Sequence, residues 1–334
     1  MKTKSKLTYT QIAREAGVSE ATVSRVLNGD ERVNPERAQR VRETVAKLGY
    51  KKNPAASALA TGKTGLVAIV IDDDLSVFAD PFWALVTSGI TRVIAQNNMQ
   101  TLLLVGSSGT PRGTVSSYLH GGGVDGAIFF QVHDEKVIHE LHRDGLPIVM
   151  AGTPDRHLEF LHADTDNVGG AKQATQHLID RGHKHIATIT GDVKASAGAQ
   201  RLAGFMQVHE NSGREVQPSL IAHGNYTHDS GVAAMHQLLD SNQKVDAVFA
   251  ANDLMALGAM SVIKDRGLRI PEDISIVGFD DTLVSQTSRP ALTTIRQDIT
   301  GLGEATAELM IAQLAGANPK PRLLPTELVV RETT

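Results

Sequence analysis

The chain has 334 residues, of which 41% are hydrophobic, so it is long enough for two or three folding units with buried cores. It contains no cysteine, which excludes disulfides and thiolate metal sites, and no apolar run reaches the length of a membrane span. The basic start MKTKSKLTYTQIAREAG lacks the apolar stretch of a secretory signal, so a cytoplasmic location is expected.

The formal net charge of −4 hides a strong division along the chain. Residues 1–63 hold 13 Lys and Arg against 6 Asp and Glu, a charge of +7, and the remaining residues carry −11. Basic surfaces attract nucleic-acid backbones because bound Lys and Arg release condensed counterions, whereas an acidic body resists such binding. The division predicts a small basic module on a larger acidic body. A split that serves solubility alone is the alternative.

Residues 1–50 are predicted to form an all-helical head. The first helix, over 8–17, begins with a capping box and ends at a glycine. The second, over 19–27, follows a short glycine turn, is capped by Ser19 and has a stripe of small aliphatic residues. The third, over 34–49, begins with the cap-and-proline pair Asn-Pro. Two helices joined by a short glycine turn indicate a helix-turn-helix.

Residues 51–65, KKNPAASALATGKTG, form a small, polar segment with one large apolar residue. Such a segment cannot bury a core alone, and short isolated helices are unstable in water. It is predicted to be a linker, or hinge helix, that is ordered only when it is paired.

From residue 66 onward, apolar β-branched runs alternate with amphipathic stretches, which indicates parallel strands covered on both faces by helices. At least seven such runs predict an α/β core, 66–334, of two doubly wound parallel-sheet lobes. Lobe one is expected over about 66–164 plus 293–320, and lobe two over about 165–292 plus 321–334. A ligand would lie in the cleft between them, outside the carboxyl ends of the strands.

The chain resembles the LacI–GalR family of bacterial transcription regulators over essentially its whole length. The resemblance is carried in the head by AGVSEATVSRVLNGDERVNPERAQRVRETVAKLGY, and in the core by DNVGGAKQATQHLIDRGHKHIATITG, AQRLAGF, ANDLMALGAM, ISIVGFDD and RPALTTIRQ, in this order. It implies a repressor with a helix-turn-helix head, a hinge helix, and a periplasmic-binding-protein-like core that forms a homodimer and binds a small effector. Such a dimer would bind double-stranded DNA at a near-palindromic operator.

In a helix-turn-helix, the start of the second helix enters the major groove, and the family's base-reading positions fall on Glu20, Ala21 and Arg25. Arg25 can bind guanine through two hydrogen bonds, Glu20 can accept from cytosine N4, and Ala21 can pack on a thymine methyl. Alternatively, Glu20 is a first-turn acid that stabilises the helix dipole and touches no base. Phosphate contacts are expected from Thr22, Ser24, Arg32 and Asn34. The further expected DNA contacts are Thr8, Ser19, Asn28, Tyr50, Asn53, Ala56 and Leu59.

The hinge matches the family less well than the head does. Lys52 stands where members usually carry proline, Ser57 where they carry arginine or glutamine, and a proline occurs instead at Pro54. Leu59 aligns with the leucine that members wedge into the minor groove, where an apolar side chain unstacks a base step. A plain linker is the alternative.

Effector-binding residues are expected after several core strands. Asp74, with Asp72 and Asp73, follows the first strand, and Phe82 and Trp83 could cover a sugar ring, although Trp83 could equally be a core residue. The resemblance adds Arg201, Tyr226, Asn252, Asp253 and Asp280. Carboxylates, amides and guanidinium groups suit hydroxyl-rich ligands, so a sugar or polyol is expected. A nucleoside or sugar phosphate is the alternative; Ala195, where purine-binding members carry arginine, disfavours a purine.

Other function classes fit less well. A sugar-binding transport protein would share the core, but the basic head opposes it. An enzyme would need a catalytic constellation: the segment 62–64 lacks the first glycine of a phosphate loop, and no G-x-S-x-G motif occurs. His183 and His185 are expected to be structural, and no cofactor or metal is expected. Because the chain stops at ELVVRETT without a heptad tail, a dimer is favoured over a tetramer.

Overall fold

A computed structural model describes residues 7–27, 29–30, 32–50, 58, 62–71, 78–106, 113–130, 135–154, 160–241 and 243–334. The chain divides into two compact units, Met1–Thr64 and Gly65–Thr334, which we call the head and the core. Within the described residues, no helix has both the length and the apolar character needed to cross a membrane.

The described part of the head folds into the helices α1 (Tyr9–Ala16), α2 (Glu20–Leu27) and α3 (Pro35–Leu48). The predicted capping box is present, because the Thr8 amide donates to Gln11 Oε1 at 3.0 Å and the Gln11 amide donates to Thr8 Oγ1 at 3.4 Å. Ile12, Val23 and Val41, one from each helix, are fully buried and join the three helices in one core.

The core consists of two α/β lobes, each built on a six-stranded sheet in the described residues. The strands are β1 (Leu66–Ile71), β2 (Gln100–Val105), β3 (Gly126–Phe130), β4 (Ile148–Ala151), β5 (Leu161–Thr165), β6 (Ile186–Thr190), β7 (Ile221–His223), β8 (Ala247–Ala250), β9 (Ser275–Asp280), β10 (Thr293–Gln297), β11 (Arg322–Leu324) and β12 (Thr326–Val329). The helices are α4 (Pro81–Gln96), α5 (Gly113–His120), α6 (Glu135–Arg143), α7 (Asn167–Asp180), α8 (Ser196–Asn211), α9 (His228–Asp240), α10 (Asp253–Asp265), α11 (Leu283–Thr287) and α12 (Ile299–Leu314).

Both sheets are doubly wound, as the alternation of apolar and amphipathic segments predicted. The strand order is β11-β5-β4-β3-β1-β2 in lobe one and β12-β10-β9-β8-β6-β7 in lobe two. All pairs are parallel except the edge pair of β10 and β12, which is antiparallel. The order reverses between β3 and β1 and between β8 and β6, and such switch points open crevices at the carboxyl ends of the strands.

The chain crosses between the lobes three times, and the structure corrects two of the predicted boundaries. Residues 293–297 were predicted to belong to lobe one, but they form β10, which pairs with β9 in lobe two. The physical reason is that consecutive strands of one sheet usually lie side by side. Residues 322–324 form β11, which pairs with β5 in lobe one and not in lobe two. The crossings therefore follow β5, β10 and β11.

Helices α4 and α12 pack unusually closely in lobe one because glycines stand where they meet. A Cβ added to Gly303 would lie 2.1 Å from the Val86 carbonyl oxygen, and one added to Gly89 would lie 2.2 Å from the Thr300 carbonyl oxygen. Both obstacles are backbone atoms, which cannot rotate away.

We expect Gly303→Ala to lower the free energy of unfolding by about 3 kcal/mol, because the added methyl must separate the two helices. Chemical denaturation measures this change. Gly121→Ala is the matched control, since its Cβ would meet its nearest neighbour, the Ser117 carbonyl oxygen, at 3.4 Å. Equal midpoints for the two variants would contradict the proposed close packing.

Candidate functional site

The head presents the start of α2 on its surface. Glu20, Ala21 and Arg25 are exposed, whereas Val23 and Val26 on the opposite side of the helix are buried. Ser19 caps this end, because its Oγ accepts from the Thr22 amide at 3.2 Å. The three predicted base-reading side chains thus lie on one exposed face, since Ala21 and Arg25 are four residues apart in the helix.

A basic groove lies beside this face, between α2 and α3. It is lined by Thr22, Arg25, Asp30, Arg32, Val33, Asn34 and Arg37. Asp30 accepts from Arg32 Nε and Nη2, each at 2.9 Å, and these hydrogen bonds lower the pKa of Asp30 to about 2. Three arginines beside the first turn of α3 favour an anionic ligand, because their charges and the positive end of the helix dipole attract negative charge there.

Sequence reasoning missed Arg37, although a basic residue three positions after an Asn-Pro cap was a usable signal. Asn34 Oδ1 accepts from the amides of Glu36 and Arg37, at 3.0 and 3.2 Å, and so orients this first turn.

Of the other predicted head contacts, Thr8 is exposed and Ser24 is half-buried. The half-buried Tyr50 packs its ring 5.9 Å from that of Tyr9. The predicted contacts that lie outside the described residues are Asn28, Asn53, Ala56 and Leu59, together with the hinge positions Lys52, Pro54 and Ser57.

In the core, Arg201 of α8 lies at the centre of a buried polar cluster. Its guanidinium stacks on Phe279, 3.6 Å from the ring centroid, and Nη1 donates to the Ala251 carbonyl oxygen at 2.5 Å. The same nitrogen lies 3.6 Å from Asp280 Oδ1, and Gln297 Nε2 donates to that oxygen at 2.5 Å. Arg201 and Asp280 are only 5% and 4% exposed, so their charges interact with little screening by water.

The cluster reaches across the cleft to lobe one. Asn252, which follows β8, donates through Nδ2 to Asp80 Oδ2 at 3.1 Å, and Asp80 caps α4 in lobe one by accepting from the Phe82 amide at 2.9 Å. Asn252 also donates to the Tyr226 carbonyl oxygen at 2.9 Å. One side chain therefore connects both lobes at the point where their strands end.

Two residues of this cluster adopt the left-handed backbone conformation that usually requires glycine. Tyr226 has a φ of +70°, and its buried hydroxyl has no hydrogen-bond partner among the described residues. Asp280 has a φ of +117°, next to Asp281 at +58°. Strained backbone of this kind persists where surrounding contacts hold it and is common at binding sites.

The structure changes the role expected for Asp253. Its Oδ2 accepts from the Thr282 amide at 2.8 Å and from the Thr282 hydroxyl at 3.1 Å, and its Oδ1 accepts from the Thr294 hydroxyl at 2.6 Å. Only 1% of the residue is exposed. Because its carboxylate is occupied by protein donors, Asp253 joins strand ends within lobe two, and we remove it from the candidate ligand contacts.

Aromatic side chains cover the carboxyl ends of strands in the sheet of lobe one. Trp83 packs edge-on against Phe82, with centroids 5.5 Å apart, and against Phe130 at the end of β3, at 5.2 Å. Phe82 and Trp83 are half-buried and touch the hydrophobic core of lobe one. They combine a packing role with a position beside the cleft. Asp72, Asp73 and Asp74 lie outside the described residues.

Burial raises the pKa of three carboxyl groups around the cleft. It acts on Asp80, on Asp280, where the charge of Arg201 opposes it, and on Asp253, where the pKa reaches about 7 despite the hydrogen bonds from threonines. A pKa that is higher in the folded than in the unfolded chain stabilises the fold at low pH. For Asp253 this contribution is fully present below its ordinary pKa of 3.8 and is lost as the pH rises through about 7.

We therefore expect Asp253→Asn to become more stable relative to the unmodified protein as the pH rises from about 5 to about 8. Denaturant unfolding at each pH measures the difference in unfolding free energy. Asp273→Asn is the control, because Arg269 lowers the pKa of Asp273 and its carboxylate stays ionised throughout this range. A difference for Asp253→Asn that does not vary with pH would contradict a raised pKa.

Three polar residues of the cluster were missed by sequence reasoning. Asp80 precedes Pro81, a pair that signals a helix cap but not a contact with the other lobe. Gln297 binds Asp280, and Asn167 accepts from Arg201 Nε at 2.9 Å. Their sequence neighbours do not reveal these partners, which come from distant parts of the chain.

Comparison with known proteins adds independent findings. Residues 8–53 match the family described as bacterial regulatory proteins, lacI family, and residues 175–334 match a periplasmic binding protein-like domain. The HTH-type transcriptional regulator CelR of Thermobifida fusca is 38% identical over 334 residues, which cover 98% of either chain.

Two solved structures are also similar: a complex of the transcriptional regulator CelR with cellobiose, and the Lac repressor dimer bound to operator and the anti-inducer ONPF. The first has 37% identity and a TM-score of 0.76, over 98% of this chain and 100% of that one. The second has 28% identity and a TM-score of 0.86, over 98% and 99%.

Proposed function

The chain belongs to the LacI family of DNA-binding transcriptional regulators, and from this premise we propose that it is a repressor whose operator affinity changes when a sugar or polyol binds between its core lobes. The observation that carries the proposal is the buried cluster of Arg201, Asp280 and Asn252 in lobe two, bonded to Asp80 of lobe one. A ligand in this cleft would contact both lobes at once.

The chemistry of the cluster supports a neutral, hydroxyl-rich ligand. A carboxylate accepts several hydrogen bonds, a guanidinium donates several in one plane, and an amide both donates and accepts, so each group can satisfy neighbouring hydroxyls of one ring. The Tyr226 hydroxyl adds a buried polar atom without a partner among the described residues. The charges argue against a phosphate, because among the described residues the carboxyl groups of Asp80 and Asp280 face one guanidinium, that of Arg201. Cellobiose, which is bound in the CelR structure, is the first compound to test.

In the head, the exposed face of α2 would read base edges while the basic groove beside it holds phosphates. Two heads on a two-fold symmetric homodimer would then recognise a near-palindromic operator. The effector acts by linkage: it binds one arrangement of the lobes more tightly, and that arrangement changes the spacing of the heads. The free energy by which the effector changes operator affinity equals the free energy by which the operator changes effector affinity.

Two measurements test the proposal. A gel-shift assay with genomic fragments should reveal sequence-selective binding that weakens steeply as salt increases, because phosphate contacts release counterions. The second measurement is a thermal-shift screen of cellobiose, other sugars, polyols, nucleosides and their phosphates. We expect a neutral sugar or polyol to raise the melting temperature, since a ligand of the folded state stabilises it by mass action. Sequence-independent DNA binding would refute the regulatory role. Stabilisation by a phosphorylated compound alone would refute the effector class.

A further inference from the structure

Asn167 occupies the first crossing between the lobes. It is the first residue of α7, is separated from β5 by the cap residue Asp166, and is 1% exposed. Its Nδ2 donates to Asp164 Oδ1 at 3.2 Å and to the Thr165 carbonyl oxygen at 3.0 Å, and its Oδ1 accepts from Arg201 Nε at 2.9 Å. The donor end of one amide thus faces lobe one, and its acceptor end faces the ligand cluster of lobe two.

Each neighbour of Asn167 is held firmly on its own side. Asp164, in β5 of lobe one, also accepts from the amide and hydroxyl of Thr153, at 2.8 and 2.6 Å. Arg201 is fixed by the Ala251 carbonyl oxygen and by stacking on Phe279. A shift of Arg201 relative to lobe one must therefore stretch the hydrogen bonds of Asn167, because both ends of the chain of bonds are anchored.

The other two crossings are built differently. Asp298, after β10, accepts from the Gly301 amide at 2.8 Å and so caps the following helix. Thr326, after β11, accepts from Gln173 Nε2 at 3.2 Å. Neither of these bonds reaches Arg201. At the first crossing, a described hydrogen bond reaches Arg201 itself, whereas at the second the neighbouring Gln297 donates to Asp280.

We infer that Asn167 is a positioning residue that orients Arg201 for the effector and couples the position of Arg201 to β5, the strand of lobe one that precedes the first crossing. The inference rests on the proposed effector site, which it extends by naming a residue that need not touch the effector. An amide is required because it donates on one side and accepts on the other. Aspartate would keep the acceptor for Arg201 but place a second carboxylate against Asp164, and alanine would remove all three hydrogen bonds.

The first experiment uses the ligand-free protein and so does not depend on the identity of the effector. In selectively labelled protein, the Arg201 Nε–H resonance, assigned by its loss in Arg201→Lys, should exchange slowly with solvent. We expect Asn167→Ala to accelerate its exchange at least about tenfold, since a hydrogen bond to a charged group is lost. Asn167→Asp should leave it slow but increase backbone hydrogen exchange over 161–166. Thr175→Val, which removes a buried hydroxyl bonded to the Ala171 carbonyl oxygen of the same helix, should change neither signal.

The second experiment uses cellobiose as the probe and measures its affinity, and the operator affinity with and without it. Asn167→Ala should weaken cellobiose binding about 10- to 100-fold, the effect of one hydrogen bond to a charged group. Asn167→Asp should bind cellobiose within a few-fold of the unmodified protein and yet lose most of its operator response. In a double-mutant cycle, Asn167→Ala and Arg201→Lys should be non-additive, because both remove the same bond.

Different results would overturn different claims. Slow exchange of the Arg201 Nε–H in folded Asn167→Ala would overturn the positioning role, and so would additive effects in the cycle. A full operator response in Asn167→Asp would overturn the coupling of Arg201 to β5. If cellobiose does not bind the unmodified protein, the proposed effector is wrong, while the ligand-free exchange measurements still decide the role of Asn167.

Discussion

Arg201→Ala is expected to abolish stabilisation by the effector while the free protein still binds its operator. The guanidinium is the positive charge of the buried cluster at the strand ends, where it lies 3.6 Å from Asp280 and is held by Asn167 and Ala251. Alanine removes the donor that would bind ligand hydroxyls and leaves Asp280 buried without its counter-charge. Breaking a buried charge pair in this way costs about 3–5 kcal/mol of stability.

The lost stability should depend on pH in a defined direction. The charge of Arg201 lowers a pKa of Asp280 that burial raises, so removing the arginine raises this folded-state pKa further. A raised folded-state pKa adds stability at low pH that disappears as the pH rises through it. Arg201→Ala should therefore be less destabilised, relative to the unmodified protein, at about pH 5 than at about pH 8.

Denaturant unfolding at both pH values and thermal shift with the stabilising compound from the screen test these expectations. The double variant Arg201→Met with Asp280→Asn is the informative partner, because it removes the unpaired charge and should recover stability without recovering ligand binding. Arg269→Ala is the surface control, since Arg269 pairs with the exposed side chain of Asp273. A normal thermal shift in Arg201→Ala would place the effector elsewhere.

Local patterns predicted the elements of this fold well because local physics decides them. The capping box at Thr8, the left-handed glycine after α1 and the Asn34 cap all occur as the sequence indicated. Their hydrogen bonds join residues two to four positions apart, within reach of a motif. The strands of the core were recognisable for the same reason, since continuous apolar runs fit a sheet that is buried on both faces.

Pairing between distant segments was harder to predict. The run TTIRQ has the composition of a buried strand, but nothing in it says which sheet it joins, and β10 joined lobe two. Asp253 follows β8 and Asp280 is the last residue of β9, so the two looked equivalent in the sequence. One of them faces Arg201 and the other is enclosed by Thr282 and Thr294, which come from the segments 281–282 and 293–297. Asp80 and Asn167 entered the cluster only when the lobes were brought together.

Arg25→Ala is expected to weaken binding to the cognate operator by about 1–3 kcal/mol and to relax selectivity at one base pair of each half-site. Arg25 is exposed on the presented face of α2, one turn beyond Ala21. The described hydrogen bonds of the nearby Asp30 come from Arg32, so Asp30 acts on Arg25 through its charge and not through a described hydrogen bond. A planar guanidinium that is not held by this carboxylate can present two parallel donors to guanine.

Arg32→Ala is the matched comparison, since Arg32 lines the same groove but is aligned by Asp30 for backbone contact. It should weaken binding to all sequences about equally. The slope of the logarithm of the binding constant against the logarithm of salt concentration should fall by about one, as expected for the loss of one phosphate contact. Binding of both variants to an operator series, with every base pair of one half-site replaced in turn, separates the two roles. Equal losses on every sequence for Arg25→Ala would show that it is a phosphate contact.

Adding Glu20→Gln to the series decides whether Glu20, the acid in the first turn of α2, contacts a base. A change confined to one base pair would show that Glu20 reads a base, whereas a uniform gain in affinity would show that its charge only repels the backbone.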